Sequence, residues 1–558
     1  GPLVWFHDPR RALELDGCLA EVMNTTRRPV GANGQLSRYP FGAVAAGGTG
    51  CAVGIDPATP LYFRTGCQPR TRELFLACDI GFAPEKRTAG FRFCVFDFKA
   101  ADGFRGALAR YYDLYPDAFA TRIRRQGVWM PFAAISKVEG WQDFGFRFKE
   151  GDSETAWDDA QDILTFRYTE PMTWWMALKG EGPRTLERGA AEARRLAEAG
   201  NPAGLAWASS AFEDEKGRAP GRVLDTPWCN GVVWSMNCAP GVPGAVTDFS
   251  NKWSAAYLER QYGAARKAAC DGEYIDSAEA YVTDELNFRR SHFAGAERPL
   301  CYALGSRRVG IYKGMIGFEY VRALARDMHA RGHYMMANST PISWCWLAPL
   351  LDVMGTETDW KHGGKWRPMA DEELLYRRAL CRGKPFCFLM NTDFSAFSYE
   401  DSERFMKRAL AYGMFPGYFS ADASTGHYFT RPELYNRDRP LFKKYVPLCR
   451  LVAEAGWEPV TGARSDNAAV TLERFGWQPG LCYLTVFNQS EARQRAVVTL
   501  TALAQPSACR DLVRDAAVMW QERRTAVELD AGDVCVLAFT GPYAGDVLVE
   551  DVRVQEVK

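Results

Sequence analysis

Two acidic residues follow or end apolar, strand-like segments in the middle of the chain. Asp276 closes the run GEYID at 272–276, and Glu357 lies in VMGTET at 353–358. Glycoside hydrolysis uses two such carboxyl groups, one to attack the anomeric carbon or activate water and one to protonate the leaving oxygen. We therefore predict that Asp276 and Glu357 form a catalytic pair, with Asp276 as the nucleophile.

Three further acids compete for the second role. Glu170, in YTEP, precedes an apolar run and would lie on the opposite rim of a barrel, Glu279 follows Asp276 by three residues, and Asp359 follows Glu357 by two. We favour Glu357 because it lies nearest the end of its strand-like segment. The identity of the general acid/base stays open among these four residues.

Amide, aromatic and basic side chains near the same strand ends predict a sugar-binding surface. Amides can bind sugar hydroxyls, and sugar faces stack on aromatic rings. Each residue also has a structural reading as a turn, cap, packing or ion-pair residue. An Arg289–Arg290 pair beside His292 would suit an anionic substituent. The predicted substrate-binding residues are Tyr274, Glu279, Asn237, Asn338, Trp175, Trp234, Asp359 and Arg289, with Asn391 as a further amide.

Signals for metals and cofactors are poor. The six histidines are dispersed, no His-Glu-x-x-His occurs, and no Gly-x-Gly-x-x-Gly leads from a strand into a helix. We expect neither a metal nor a cofactor.

The elements that must position these residues alternate between apolar strands and amphipathic helices over 126–446. This pattern predicts an α/β fold with a central (β/α)₈ TIM barrel, whose chemistry lies at the carboxyl ends of the strands. The helices include 104–114 before the barrel and 184–198, 255–269, 318–331 and 402–412 within it. The eight predicted strands are 127–134, 171–178, 231–237, 273–276, 333–337, 351–355, 386–390 and 414–419.

The flanking regions are rich in short alternating strands broken by Gly and Pro. This texture predicts an N-terminal β-sandwich with a linker helix over 1–125 and a C-terminal β-sandwich over 447–558.

Composition limits the partners. The 68 basic residues cancel the 68 acidic ones, which argues against nucleic acid or an anionic membrane, and no apolar run is long enough to span a bilayer. The aromatic fraction of 13% favours a glycoside or oligosaccharide as the partner, and an oligomer is left open. Sixteen scattered cysteines favour a reducing, cytoplasmic setting, while export stays open because the chain begins Gly1-Pro2 without a methionine.

The order of sandwich, barrel and sandwich, with Tyr274-Ile275-Asp276-Ser277 at strand four and an acid after strand six, resembles the retaining glycoside hydrolases of the α-galactosidase type. It is also similar to the related α-glucosidases and endo-α-N-acetylgalactosaminidases. The resemblance covers nearly the whole chain in architecture. It implies a retaining, α-specific glycosidase with Asp276 as nucleophile and Glu357 as general acid/base.

The sequence also has a second resemblance, and two other functions stay open. Residues 141–146, WQDFGF, and 168–171, YTEP, are similar to stretches of uncharacterised bacterial proteins, which implies no substrate. One rival is a carbohydrate-binding protein that kept the glycosidase scaffold and lost the acid. The other is a barrel lyase or aldolase that uses Lys384 or an acid cluster with a metal.

Overall fold

The computed structural model of the chain describes residues 1–263, 269–476 and 482–540. At its centre, seven parallel strands pair in chain order, and the first and last approach each other, so that they form a nearly closed barrel. These strands, numbered β1 to β7, are Val128–Pro131, Phe146–Glu150, Leu164–Thr169, Gly272–Ile275, Tyr334–Ala337, Val353–Thr358 and Phe386–Met390.

The second and third barrel strands differ from the prediction. The barrel uses β2 and β3, whereas the apolar runs 171–178 and 231–237 were predicted in their place. Those runs instead form two strands of a three-stranded antiparallel sheet that lies in the chain between β3 and β4. We call it the inserted sheet, and its strands are Thr173–Ala177, Gly221–Thr226 and Cys229–Ser235.

Buried ion pairs explain why the sequence hid β2 and β3. Strand β2 reads Phe-Arg-Phe-Lys-Glu, yet all five residues are buried. Lys149 donates to Asp158 at 2.8 Å, and both side chains are inaccessible to solvent. In the same way Arg167 of β3 pairs with Glu273 of β4. Charged residues are rarely buried without such partners, so a segment with several of them resembles an exposed surface segment.

Five of the other six predicted barrel strands agree with the structure. Strands β1 and β4 to β7 fall on five of the predicted segments, and β4 keeps its place as the fourth strand. The predicted eighth strand, 414–419, makes two parallel bridges to β7, Cys387 with Phe415 and Met390 with Tyr418. Backbone hydrogen bonds such as Phe388 N to Phe415 O, 2.9 Å, support these bridges.

Ten α-helices occur in the described residues. The predicted helices at 104–114, 184–198, 318–331 and 402–412 are confirmed within a few residues, and the last begins with a capping box at Ser398. The helix predicted at 255–269 ends at Tyr262, and 264–268 lie outside the described residues. The ten are Gly103–Leu114, Thr155–Ala160, Leu186–Glu198, Pro202–Ser210, Asp248–Lys252, Ala255–Tyr262, Lys313–Ala330, Asp371–Cys381, Tyr399–Ala411 and Pro432–Ala455.

Antiparallel sheets precede the barrel. A five-stranded sheet contains Val4–Phe6, Ala12–Glu14, Phe41–Ala46, Thr49–Ile55 and Phe93–Lys99. A three-stranded sheet contains Val22–Met23, Phe63–Gln68 and Glu73–Cys78. A two-stranded ribbon pairs Thr25–Arg27 with Gln35–Ser37. A further small sheet after β4 joins Leu286–Asn287, Cys301–Tyr302 and Val309–Tyr312.

Two antiparallel sheets follow the barrel. The strand Cys482–Asn488 is buried on both faces: Tyr483 and Phe487 belong to the large central core, whereas Leu484 and Val486 belong to a second core. This alternation joins the C-terminal sheets to the barrel. The sheets contain Trp457–Glu458, Val470–Phe475, Cys482–Asn488, Ala508–Asp511, Ala516–Ala517 and Val534–Thr540, and Ala463–Ser465, Gln494–Leu500 and Arg524–Leu529.

Over the described ranges, the model contains no helix with the length and apolar character needed to cross a membrane.

Candidate functional site

A cavity of about 930 Å³ opens at the carboxyl ends of the barrel strands. Acidic and amide side chains reach it from successive strands: Glu150 from the end of β2, Glu170 after β3, Asp276 after β4, Asn338 after β5 and Glu357 from β6. The cavity lies near the upper end of the roughly 300–1,000 Å³ found for small-molecule sites. The edge at which the sequence predicted the site therefore contains both a cavity and a group of acidic side chains.

Asn338 bridges Asp276 and Glu357. Its Nδ2 lies 2.9 Å from Asp276 Oδ1 and 2.6 Å from Glu357 Oε1, so these two oxygens are at most 2.9 plus 2.6, or 5.5, Å apart. Strands β4, β5 and β6 are adjacent in the barrel, and this adjacency brings the three side chains together. One amide group thus fixes the spacing of two carboxyl groups.

Asp276 is held in one orientation by further donors. The Tyr168 hydroxyl donates to Oδ2 at 2.9 Å, and the backbone N–H of Ser277 donates to Oδ1 at 2.7 Å. The backbone N–H of Asp276 itself donates to Thr169 O at 2.8 Å. The carboxylate therefore cannot rotate freely, as a positioned nucleophile requires.

Glu357 is poised to carry a proton near neutral pH. Desolvation, and then the negative charge of Asp276, raise the pKa of Glu357 to about 7, while hydrogen bonds from Asn391 and Asn338 act in the opposite direction. Asn391 Nδ2 donates to Glu357 Oε2. A carboxyl group with a pKa near the working pH can both give and take a proton efficiently.

Two more acids share the cavity. Glu150 is almost fully buried, and burial followed by the charges of Asp276 and Glu357 raises its pKa well above the usual value. Burial and the charge of Asp276 raise the pKa of Glu170 to about 7. The prediction that Glu170 lies on the opposite rim is wrong, because Glu170 follows the carboxyl end of barrel strand β3 and lines the cavity.

Left-handed backbone conformations cluster around the cavity. Phe132, Ser277, Ser339 and Ala423 all line it and have φ values of 52°, 48°, 55° and 54°. For residues other than glycine this region costs energy and is maintained where the surrounding structure fixes it, often at functional sites. The strain points to the same edge of the barrel as the acids do.

Comparisons with known proteins place the chain beside carbohydrate-active enzymes of known structure. No protein-family model and no curated protein matches it. The chain is similar to an α-N-acetylgalactosaminidase of Bifidobacterium bifidum in complex with GalNAc, with 12% identity, a TM-score of 0.41, and coverage of 87% of this chain and 78% of that one.

Two further structures are a GH30 endoxylanase of Clostridium papyrosolvens and a maltogenic α-amylase of Thermotoga neapolitana. The first has 10% identity and a TM-score of 0.33, covering 76% of this chain and 98% of that one. The second has 9% identity and a TM-score of 0.40, covering 79% and 95%. All three are glycoside hydrolases, the class that the sequence resemblance named. At these TM-scores they assign neither a substrate nor a residue role to this chain.

Five of the predicted site residues line the cavity. Asp276, Glu357, Asn338, Tyr274 and Trp175 all contribute to its wall. The Tyr274 ring packs between the rings of Trp129 and Tyr168, with centroids 5.5 and 5.8 Å away. Glu357 belongs to β6 itself, whereas the sequence placed it just beyond the strand.

Two predicted residues of the inserted sheet region lie outside the cavity wall. Asn237 is buried, shares a hydrogen bond with His292 Nδ1 and accepts one from the backbone of Ala239. Trp234 is buried against Trp207 at a centroid distance of 5.5 Å. Both were predicted on a barrel strand. Trp234 lies instead on a strand of the inserted sheet, and Asn237 follows that strand.

The remaining three predicted residues also lie elsewhere. Glu279 accepts backbone N–H groups from residues 342, 343 and 344 at 2.7 to 3.1 Å, so it shapes the loop after β5. Asp359 accepts the backbone N–H of Lys361. Arg289 donates to the carbonyl groups of Ala208 and Ala211. These contacts give the three side chains structural roles. The sequence showed only that they lie close to the predicted catalytic residues along the chain.

Lys384 lies before β7, at the amino end of the strand, and its Nζ donates to the carbonyl oxygens of Ala118 and Ala348. Burial lowers the pKa of this lysine to about 8. It is absent from the cavity wall. Lys384 therefore does not supply the lysine that the lyase or aldolase alternative needs in the cavity. Across the described part of the chain, no group of three or more His, Cys, Asp or Glu side chains is arranged to hold a metal.

Glu150, Tyr168 and Trp228 contribute to the cavity and were not predicted as site residues. Glu150 and Tyr168 lie at or near the carboxyl ends of β2 and β3, and this position could have indicated them had those two strands been predicted. Trp228 lies in the turn between two strands of the inserted sheet, and nothing in the local sequence distinguishes it from a surface turn.

Proposed function

We propose that the protein is a retaining, α-specific glycoside hydrolase in which Asp276 is the nucleophile and Glu357 the general acid/base. The observation that carries the proposal is the Asn338 bridge, which keeps one oxygen of each carboxyl group within 5.5 Å of the other. Retaining enzymes have carboxyl groups about 5–5.5 Å apart, whereas inverting enzymes need roughly 6.5–9.5 Å to admit a water molecule.

In the first step an Asp276 oxygen forms a bond to the anomeric carbon as the bond from that carbon to the leaving oxygen breaks. Glu357 gives its proton to the leaving oxygen, so the aglycone departs as a neutral alcohol. The pKa of about 7 supports this role, because a substantial fraction of Glu357 is protonated at neutral pH.

In the second step the roles of Glu357 reverse. Once Asp276 is an ester it has lost its negative charge, so the Coulomb repulsion that raises the pKa of Glu357 disappears. Glu357 then accepts a proton from water, the water oxygen attacks the anomeric carbon, and the bond to Asp276 breaks. Both carboxyl groups return to their starting states with net retention.

The α-specificity and the substrate class rest on the resemblance of the strand-four aspartate to that of α-glycosidases, and the substrate we infer is a glycoside or oligosaccharide. We also infer the eight-stranded form of the barrel, with 414–419 at the eighth position. The bridges of this segment to β7 support that assignment. The three-part division at 1–125, 126–446 and 447–558 is part of the same proposal.

A panel of α- and β-linked aryl glycosides and natural oligosaccharides tests the function. We expect the wild-type protein to hydrolyse one α-linked series and Asp276→Asn to lose that activity by at least three orders of magnitude. Asp359→Asn is a matched control, since it changes an acid close to Glu357 in sequence and outside the cavity wall. Glycan binding with no turnover, equal in wild type and Asp276→Asn, would instead favour the binding-protein alternative.

A further inference from the structure

The inserted sheet supplies one wall of the cavity. Trp175 lies on its strand Thr173–Ala177, and Trp228 lies in the turn that joins the other two strands. Their ring centroids are 6.0 Å apart with the planes at 71°. The Trp228 side chain is 52% exposed at the mouth of the cavity. An exposed tryptophan beside a cavity that contains carboxyl and amide groups provides an apolar face on which a sugar ring can stack.

A carboxyl group stands against this wall. Trp175 Nε1 donates to Glu170 Oε2 at 2.7 Å, which fixes the Glu170 side chain. The other oxygen, Oε1, is buried beside the Thr173 hydroxyl, which acts on Glu170 as a hydrogen-bond donor and lowers its pKa against the larger effect of burial. Both residues line the cavity, so Glu170 presents a carboxyl group and Thr173 a hydroxyl group to a ligand there.

Glu170 and Glu357 reach the cavity from β3 and β6, which lie on either side of β4 in the barrel. Asp276 is the carboxylate whose charge acts on each of them. Glu357, as the acid, contacts the leaving oxygen and hence the aglycone. Glu170 reaches Asp276 from the other flank and is available to the hydroxyl groups of the sugar that is attacked.

We propose that Glu170, Trp175 and Trp228 form the subsite for the sugar ring that Asp276 attacks, with Glu170 binding ring hydroxyls and the two indoles binding the ring face. This inference rests on the proposed function and assigns Glu170 to substrate specificity, although it is an acid in the same cavity as the catalytic pair. Trp175 positions Glu170 through its indole N–H.

Paired substrates that differ in their need for acid catalysis separate the two roles of Glu170. The probes are the α-glycosyl fluoride and the phenyl α-glycoside of galactose, glucose and N-acetylgalactosamine. Fluoride leaves without a proton from an acid, whereas phenol departs more easily with one. We expect Glu170→Gln and Trp228→Ala to lower kcat/KM at least tenfold on both members of the active pair, mainly through KM, because both share the same sugar.

Two variants serve as references. Glu357→Gln should lose far more activity on the phenyl glycoside than on the fluoride, as expected of the acid. Phe93→Ala removes an aromatic ring that is 54% exposed in the N-terminal five-stranded sheet, and it should leave kcat/KM unchanged on both substrates. Trp175→Phe keeps a ring but removes the N–H that holds Glu170, so a fall on both substrates is expected there too.

A Glu170→Gln loss confined to the phenyl glycoside would overturn the inference and make Glu170 the acid. Unchanged kinetics in both Glu170→Gln and Trp228→Ala would also overturn it, while leaving the proposed hydrolysis intact. If wild type hydrolyses neither member of any pair, the proposed function fails. Binding of the phenyl glycosides, followed by tryptophan fluorescence, then decides the subsite: binding weakened by both variants upholds it, and binding unchanged by them, or absent in wild type, overturns it.

Discussion

Tyr168 donates its hydroxyl hydrogen to Asp276 at 2.9 Å, and the two residues come from the neighbouring strands β3 and β4. Burial, followed by the charge of Asp276, raises the pKa of Tyr168, so its proton stays on the phenol at any working pH. This contact between neighbouring strands fixes the orientation of the Asp276 carboxylate, which we propose to be the nucleophile.

Tyr168→Phe should lower kcat on the best aryl glycoside by about tenfold, because a hydrogen bond to a charged group contributes roughly 1.5–3 kcal/mol and this one is partly exposed. Steady-state kinetics measures the effect. Tyr445→Phe is the matched control, since its hydroxyl donates to Glu403 at 2.6 Å away from the cavity wall. Equal activity of Tyr168→Phe and wild type would contradict the positioning role.

The pH dependence of kcat/KM should have an alkaline limb near pH 7. Glu357 acts as an acid in its protonated form, and its pKa is raised to about 7, so activity falls as the pH rises through that value. A pH–rate profile on the phenyl glycoside measures the limb. Glu357→Gln should remove it along with most of the activity. A limb that persists unchanged in the residual activity of Glu357→Gln would assign it to another group.

The raised pKa of Glu357 also makes the folded protein less stable at alkaline pH. Because the folded-state pKa of Glu357 is raised above the unfolded value, the folded state holds the proton more tightly, and its stability falls as the pH rises from about 4.5 through 7. Glu357→Gln should therefore raise the free energy of unfolding at pH 8 by about 2 kcal/mol, with little gain at pH 4. Chemical denaturation at both pH values measures this.

Glu473→Gln gives the contrasting control. Ion pairs with Arg105 and Arg10 outweigh burial and lower the pKa of Glu473, so its stabilising effect is present above the unfolded pKa and is lost as the pH falls. That variant should be less stable than wild type at pH 8. If both Gln variants shift stability in the same direction at pH 8, the raised pKa of Glu357 is contradicted.

The buried pair of Lys149 and Asp158 supports β2, and thereby Glu150. Lys149→Met should lower the free energy of unfolding by about 3–5 kcal/mol, because it leaves the Asp158 carboxylate buried without its partner. Lys149→Met combined with Asp158→Leu should recover much of the loss. Denaturant titration of the three proteins measures this, and a double variant less stable than the single one would show that the pair is not coupled.

The sequence predicted five of the barrel strands, including the fourth, and an acid at the carboxyl ends of both β4 and β6, because these segments are strand-like and are followed by polar loops. It missed β2, since Arg147 and Lys149 look solvent-exposed and are buried through ion pairs with Asp162 and Asp158. It also missed β3, and this second error misplaced Glu170, which appeared to precede a barrel strand and in fact follows one.

The roles of the predicted binding residues depended on tertiary contacts. Asn338 and Asn237 both follow apolar segments, yet Asn338 faces two carboxyl groups and Asn237 faces a buried histidine. Trp175 and Trp234 likewise lie on paired strands of one sheet, with Trp175 at the cavity and Trp234 in a core. No local pattern distinguishes the members of either pair.

The most direct test of the account is to trap the covalent intermediate with a 5-fluoro-α-glycosyl fluoride of the active sugar and locate the label by peptide mass spectrometry. The fluorine slows both steps, and fluoride departs readily, so the glycosyl-enzyme accumulates. We expect one glycosyl group per chain, on the peptide that contains Asp276, and none in Asp276→Asn. A label on Glu150, Glu170 or Glu357, or turnover of the true substrate with inversion at the anomeric carbon, would contradict it.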